Sequence, residues 1–312
     1  MAKYSFGVDL GGTTVKLGFF DTEGNVLDKW EIKTRTENGG ANILPDIAEA
    51  IKGKMAEKSV AKEDVVGVGI GVPGPVDSKG IVHKCVNLGW GVFNINEELS
   101  KHLDGIAVKG GNDANVAALG EMWKGGGQGF DSIVVVTLGT GVGGGIIVDG
   151  QILTGATGAA GEIGHIHVDD AETEVCGCGN TGCLEQYASA TGVVRIANRV
   201  LANNTKETCL KAGEVSAKDV WDAVKAGDAV AVQIAEQFGE YLGKGLASVA
   251  GVMNPEAFVI GGGVSKAGEV LLDYIRKNYT PVVFHASRNV EFKLATLGND
   301  AGIYGAAKLV LG

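Results

Sequence analysis

The densest group of chemistry-bearing side chains is Cys176-Gly-Cys178-Gly-Asn-Thr-Gly-Cys183, with His165 and His167 shortly upstream. Three thiolates and one imidazole make a tetrahedral zinc set, and four protein ligands leave no position open for water, as in a structural site. Cys-x-Cys is tighter than the common Cys-x2-Cys, so the upstream Gly-His adds weight that the spacing alone lacks. The chain has five cysteines. In a reducing compartment their crowding favours a metal over disulfides, and the isolated Cys85 and Cys209 read as ordinary thiols.

Glycine-rich stretches point to a second chemistry. Asp9-Leu-Gly11-Gly12-Thr13-Thr14-Val-Lys16 and Gly139-Thr140-Gly141 each lie between two apolar runs. Backbone N–H groups in such turns can approach phosphate oxygens closely, the Thr hydroxyls add donors, and Asp9 is placed to hold a hydrated Mg2+. One Gly-Gly between strands is ordinary hairpin chemistry, but two matching copies facing across a cleft would clamp one polyphosphate. Neither is a P-loop, and Gly141-Val-Gly143-Gly144-Gly145 leads into a strand where a dinucleotide fingerprint would open a helix. Gly261-Gly262-Gly263 follows a strand and precedes a helix, and flat backbone there suits an adenine ring. Lys16 reads as a solvated strand charge. Asp113, in Gly111-Asn112-Asp113-Ala114-Asn115, falls at the N-cap of a helix, where the ionised carboxylate is favoured.

The elements that must position these residues follow from hydrophobic periodicity. Strands are predicted over residues 4–9, 15–20, 65–72, 133–137, 142–148 and 257–260. Ile43, Ile47, Ile51 and Met55 mark one face of a helix, residues 114–124 another, and Ile234, Phe238, Leu242 and Leu246 a long buried one that stops near Asn254-Pro255. Residues 301–311 form a closing helix. The second strand–turn–strand overlies the first at an offset of 128 positions (Asp21 onto Asp149), so that Val8-Asp9-Leu10-Gly11 meets Val136-Thr137-Leu138-Gly139. That is an internal duplication. Alternating strands and helices imply a mixed α/β sheet in each of two lobes.

A length of 312 residues with 45% hydrophobic content suffices for about two domains. The 51 glycines, against 5 prolines, show no collagen period and imply many tight turns. A net charge of −10 without a basic run excludes a general nucleic-acid binder. No signal peptide or membrane-length apolar run is read, so a cytoplasmic protein is expected.

With these residues in view, the three Gly loops resemble the phosphate-1, phosphate-2 and adenosine motifs of the actin–hexokinase–chaperone superfamily. Within it, Gly158-Ala-Ala-Gly161-Glu162-Ile-Gly164-His165 followed by the Cys cluster and Leu184-Glu185 resembles the ROK family of bacterial sugar kinases and repressors, and most of all its glucokinases. The resemblance spans nearly the whole chain. It implies a two-lobed actin-like (ribonuclease H-like) α/β fold with a ligand cleft between a small lobe (1–113 plus 299–312) and a large lobe with the zinc site (114–298). It implies ATP-dependent phosphoryl transfer to the 6-hydroxyl of glucose, with Mg2+ and structural Zn2+ as further cofactors. Kinases for mannose, fructose or N-acetylmannosamine and a non-catalytic sugar-sensing regulator are the alternatives. The repressors carry an additional N-terminal helix-turn-helix domain, for which a phosphate loop beginning at Asp9 leaves no room.

By the same resemblance Asp113 is the base that takes the hydroxyl proton, and Asn87, Asn112, Glu162, His165 and Glu185 hold the sugar. The nucleotide falls to Asp9, Gly11, Gly12, Thr13, Thr14, Gly139, Thr140, Gly141, Gly261, Gly262 and Gly263. His165, on the Gly-His motif, joins Cys176, Cys178 and Cys183 as the zinc set, with His167 off it. The loop Lys84-Cys85-Val86-Asn87-Leu88-Gly89-Trp90 departs from the Ser/Ala-Pro-Asn-Leu common in the family. A role in glycolysis and a homodimer or higher homo-oligomer without nucleic-acid or membrane partners complete the expectation.

Overall fold

Three strands whose C-terminal ends carry the first set of site residues organise the N-terminal part of the computed structural model. These are β1 (Tyr4–Leu10), β4 (Val65–Val72) and β7 (Val108–Asn112), which pair in parallel, β1 with β4 and β4 with β7. The antiparallel strands β2 (Thr14–Asp21) and β3 (Val26–Lys33) extend the sheet to the order β3-β2-β1-β4-β7. The structure describes residues 2–83 and 85–312, so Lys84 of the Asn87 loop lies outside the described residues, as does the side chain of Val86.

One face of this sheet is covered by α2 (Ile43–Glu57) and α3 (Ile95–His102), after the single turn α1 (Glu37–Gly40). Ile43, Ile47 and Ile51 are buried there, as their spacing predicts. The small sheet of β5 (Ile81–Val82) and β6 (Phe93–Asn94) flanks α3. The other face carries α4 (Asp113–Lys124) and, from the far end of the chain, α10 (Ala301–Leu311). α10 lies unusually close. A Cβ on Gly69 would sit 1.7 Å from the carbonyl oxygen of Ala306, and one on Gly305 would sit 1.6 Å from that of Val116 on α4. Glycine is obligatory at both places because backbone touches backbone.

A second sheet repeats the first, in the order β10-β9-β8-β11-β12. Its strands are β8 (Ile133–Leu138), β9 (Val142–Val148), β10 (Gln151–Ile152), β11 (Ala257–Gly261) and β12 (Glu291–Leu294), with β8 and β11 parallel and β11 and β12 parallel. The duplication read from the sequence is thus a duplication of sheet order. The copies differ at their third strand, where β10 has two residues against eight in β3. Asp149 and Gly150, both at positive φ (50° and 73°), turn β9 into β10.

The remaining helices are α5 (Glu185–Ala188), α6 (Ala190–Ala202), α7 (Ala217–Lys225), α8 (Ala229–Met253) and α9 (Glu269–Tyr279). α8 is the spine against which α6, α7 and α9 pack. It ends where expected, at Asn254 in the left-handed conformation (φ 43°) just before Pro255.

By compactness the chain forms two units. One holds everything up to Asp131, Gly145–Gly161 and Leu297–Gly312, and the other Ser132–Gly144 and Glu162–Thr296. α4 and the β9–β10 turn lie in the first, whereas the sequence drew its boundary at Asp113. No described helix is long and apolar enough to cross a membrane.

Candidate active site

In the first unit, the site residues sit at the C-terminal ends of β1, β4 and β7, the edge at which open α/β sheets receive ligands. The loop after β1 is closed by Gly11 N–H donating to Thr14 O (3.1 Å). Thr34, buried at the end of β3, holds the loop from outside: its hydroxyl donates to Gly11 O (2.7 Å) and its N–H to Thr13 O (2.9 Å). Across a trans peptide the N–H points away from the preceding carbonyl. With Gly11 O drawn to Thr34, the Gly12 N–H faces the opposite side, and neither it nor the Thr13 N–H bonds to any described residue. Asp9 is half-buried beside this loop. Burial pushes its carboxyl up, and nearby Lys16 offsets part of that rise.

Asp113 corrects the reading of the sequence in one respect. The N-cap of α4 is Asn112, whose Oδ1 accepts from Asn115 N–H (3.1 Å), and Asp113 is the first helical residue. Asp113 Oδ1 accepts from Ala114 N–H (2.8 Å) and from Asn112 Nδ2 (3.1 Å), which also donates to Gly74 O (3.1 Å). Asn112 therefore caps the helix and fixes the carboxylate at once. Asn87 lies exposed in the single turn Val86–Leu88, and Cys85 beneath it is buried with its thiol on Pro73 O.

In the second unit, the loops at the ends of adjacent β8 and β11 come together. A Cβ on Gly262 (φ 84°) would lie 2.5 Å from Leu138 O. A 3-10 turn, Val264–Ala267, follows before α9, where the sequence implied a helix directly. The loop 139–141 repeats the first loop's device with different residues. Gly139 N–H closes on Gly141 O (3.0 Å), while Ala190 N–H and the Thr191 hydroxyl draw down the carbonyls of Gly139 (2.8 Å) and Thr140 (3.0 Å). The N–H groups of Thr140 and Gly141 bond to no described residue. Thr34, Ala190 and Thr191 were not singled out from the sequence, where they lie far from the loops they hold.

His165, Cys176, Cys178 and Cys183 converge, their ligand atoms all within 4.8 Å of one another. The Cys178–Cys183 sulfurs are 3.6 Å apart, and Cys176 Sγ is 3.8 Å from His165 Nδ1. A tetrahedron of about 2.3 Å bonds has edges of about 3.8 Å, close to these two separations, so the four side chains could hold a metal ion. His165 Nε2 points the other way, 4.0 Å from Glu162 Oε2. His167 stands outside the set, bound by Thr181 O and Asp170, and Cys85 and Cys209 are likewise outside it.

The loop between His165 and Cys176 is anchored by a buried ionic network. Glu172 accepts from the Tyr187 hydroxyl (2.6 Å), which also lies 2.7 Å from Asp169, and forms ion pairs with Arg195 (2.7 Å) and Arg199 (3.0 Å). Burial alone would raise the Glu172 carboxyl, but the hydrogen bonds from Tyr187, the Glu174 N–H and Arg199 outweigh it and hold the pKa at about 2. A carboxylate so depressed stabilises the fold fully above its unfolded value and loses that contribution as pH falls from about 4.5 toward 2. The urea midpoint should accordingly drop across that window. In Glu172→Gln this part of the slope should vanish, with a loss at pH 7 of roughly 3–5 kcal/mol for a broken buried pair. An unchanged acid limb would show that the network contributes nothing.

The model of the ROK family matches residues 5–312. The chain belongs to the ROK family. A glucokinase of Halalkalibacterium halodurans is 45% identical, over 99% of this chain and 95% of its own. A glucokinase of Thermotoga maritima is 38% identical, over 97% and 96%. The crystal structure of a ROK family glucokinase from Streptomyces griseus in complex with glucose and AMPPNP superposes with a TM-score of 0.71 at 36% identity, covering 98% of each chain. The fold is the actin-like α/β fold expected from the sequence.

Proposed function

We propose that this chain transfers the γ-phosphoryl group of ATP to the 6-hydroxyl of glucose. The observation that carries the reading is the pair of loops whose carbonyls are held back by other residues and whose Gly12, Thr13, Thr140 and Gly141 N–H groups bond to no described residue, together with membership of the family. Such pre-organised donors suit phosphate oxygens and need no reorganisation when charge shifts. The backbone of Gly261–Gly263, beside the second loop, suits the adenine ring.

Asp113 is the general base. Its Oδ1 is committed to Ala114 and Asn112, and the carboxylate takes the hydroxyl proton as the oxygen attacks phosphorus, while the leaving ADP oxygen departs in line. Asn112, Asn87, Glu162, His165 and Glu185 bind the other sugar hydroxyls, where buried acceptors discriminate hydroxyl geometry. Mg2+ carried with the nucleotide would neutralise phosphate charge, and Asp9 would meet it from this chain. Zinc on His165, Cys176, Cys178 and Cys183 would be structural. A cytoplasmic enzyme of sugar catabolism, working as a homodimer or larger homo-oligomer, fits the same reading.

The loop assignment has its own test. A Cβ on Gly12 meets nothing within 4 Å, and on Gly139 only Gly141 O at 4.0 Å, so both sites accept a side chain without disturbing the fold. At Gly11 a Cβ would press Thr14 O at 2.9 Å, which makes that position the poorer probe. Gly139→Val should weaken ATP binding at least about tenfold, roughly the worth of one hydrogen bond to a charged oxygen, with calorimetric glucose affinity little changed. The reverse pattern would refute the assignment.

A further inference from the structure

Glu185 is assigned above to the sugar, but its bonds within the second unit point elsewhere as well. Its Oε2 accepts from Val142 N–H, the first residue of β9, at 3.0 Å. A Cβ on Gly141 would sit only 2.0 Å from the same oxygen, so a side chain there would displace this carboxylate. The other oxygen, Oε1, is 3.8 Å from Cys176 Sγ. Glu185 opens α5, and the residues that follow it, Ala190 and Thr191, hold the carbonyls of Gly139 and Thr140. Among the described residues, the side-chain and loop bonds that fix 139–142 from below, apart from its own closure, therefore come from residues 185–191.

We infer that Glu185 is a positioning residue for the nucleotide: it fixes the second Gly-rich loop by accepting the Val142 N–H. Val142 N–H is taken by Glu185 and Gly139 N–H by Gly141, and these two bonds leave the Thr140 and Gly141 N–H groups as the loop's donors. Without the carboxylate, Val142 N–H becomes a third unpaired donor at the rim of β9, and the peptide between Gly141 and Val142 keeps only the Gly139 N–H on its carbonyl. The loop would then have to be ordered by the nucleotide itself, at the expense of affinity. The inference rests on the reading of 139–141 as a phosphate loop.

Two variants separate this role from a sugar contact and from a merely structural one. Glu185→Gln keeps an oxygen that can accept from Val142 N–H and presents an NH2 group to the Cys176 sulfur. Glu185→Ala keeps neither. ADP binding is measured by calorimetry on wild type and both variants, with zinc content, and the exchange rate of the Val142 amide is followed by hydrogen exchange. The glutamine variant should bind ADP within about threefold of wild type and keep Val142 protected while its KM for glucose rises, because the carboxylate is the better hydroxyl acceptor. The alanine variant should bind ADP about tenfold or more weakly, with Val142 exposed to exchange, as expected for a lost charge-assisted bond. ADP affinity unchanged in Glu185→Ala would overturn the inference, as would equal loss in both variants. A wild-type chain without ADP affinity would overturn the proposed function, and this inference with it, before any substitution is compared.

Discussion

Asp113→Asn should lower kcat by about 10²–10⁴, the usual worth of a general base, while leaving glucose affinity within a few-fold and the fold intact. The bonds around the residue make the experiment clean. An asparagine Oδ1 can still accept from Ala114 N–H and Asn112 Nδ2, so these contacts of Asp113 survive. The cap of α4 is Asn112 and is untouched. What disappears is the basicity of the side chain. If Asp113 were only a helix-end anion, the loss would be a dipole effect of about 0.3–1 kcal/mol in stability and turnover would be near normal. Steady-state kinetics with calorimetric glucose binding on the same preparation decides between the two.

Cys178→Ser should abolish zinc binding, lower the melting temperature and weaken glucose binding. Apparent folding contributions of about 10–16 kcal/mol from structural zinc in small zinc-finger peptides set an upper bound. Here the loss should be well below it, because the loop from His165 to Cys176 is also pinned by Glu172 to Arg195 and Arg199 and by Tyr187 to Asp169. His165 is the link to the sugar. Nδ1 faces the cluster and Nε2 faces Glu162, so one ring can serve metal and hydroxyl together. Metal content, melting temperature and glucose Kd measured on one purified variant test all three effects. A zinc-free protein with unchanged glucose affinity would reduce the metal to a remote staple.

What the sequence made legible were features carried by local composition. The strands and the long helix have strong periodic signals, the duplicated hairpins lie at one offset, and the Cys cluster is contiguous. All of these stand in the structure. What it hid were contacts between residues far apart in the chain and unremarkable in type. Nothing in Thr34 announces that it holds Gly11, and nothing in Ala190 that its N–H holds Gly139. Asp and Asn cap equally well, so sequence alone does not separate Asp113 from Asn112, and only the backbone geometry assigns the cap to Asn112. The boundary drawn at Asp113 stops short of α4 because the packing of α4 on α10 depends on Gly120 and Gly305, which look like helix defects in the sequence.

That packing bears on the order of events during synthesis. A ribosome delivers β1, β4 and α4 long before α10, yet α10 is the layer that covers β1 and β4 and interlocks with α4. Until residues 297–312 emerge, the first unit exposes the part of its sheet that α10 covers, while Ser132–Gly144 and Glu162–Thr296 are already complete. The part of the protein made first is therefore finished last. The interval in which it is open to misassociation is set by the time needed to translate everything in between, on the order of ten to forty seconds at bacterial elongation rates of about 5–20 residues per second.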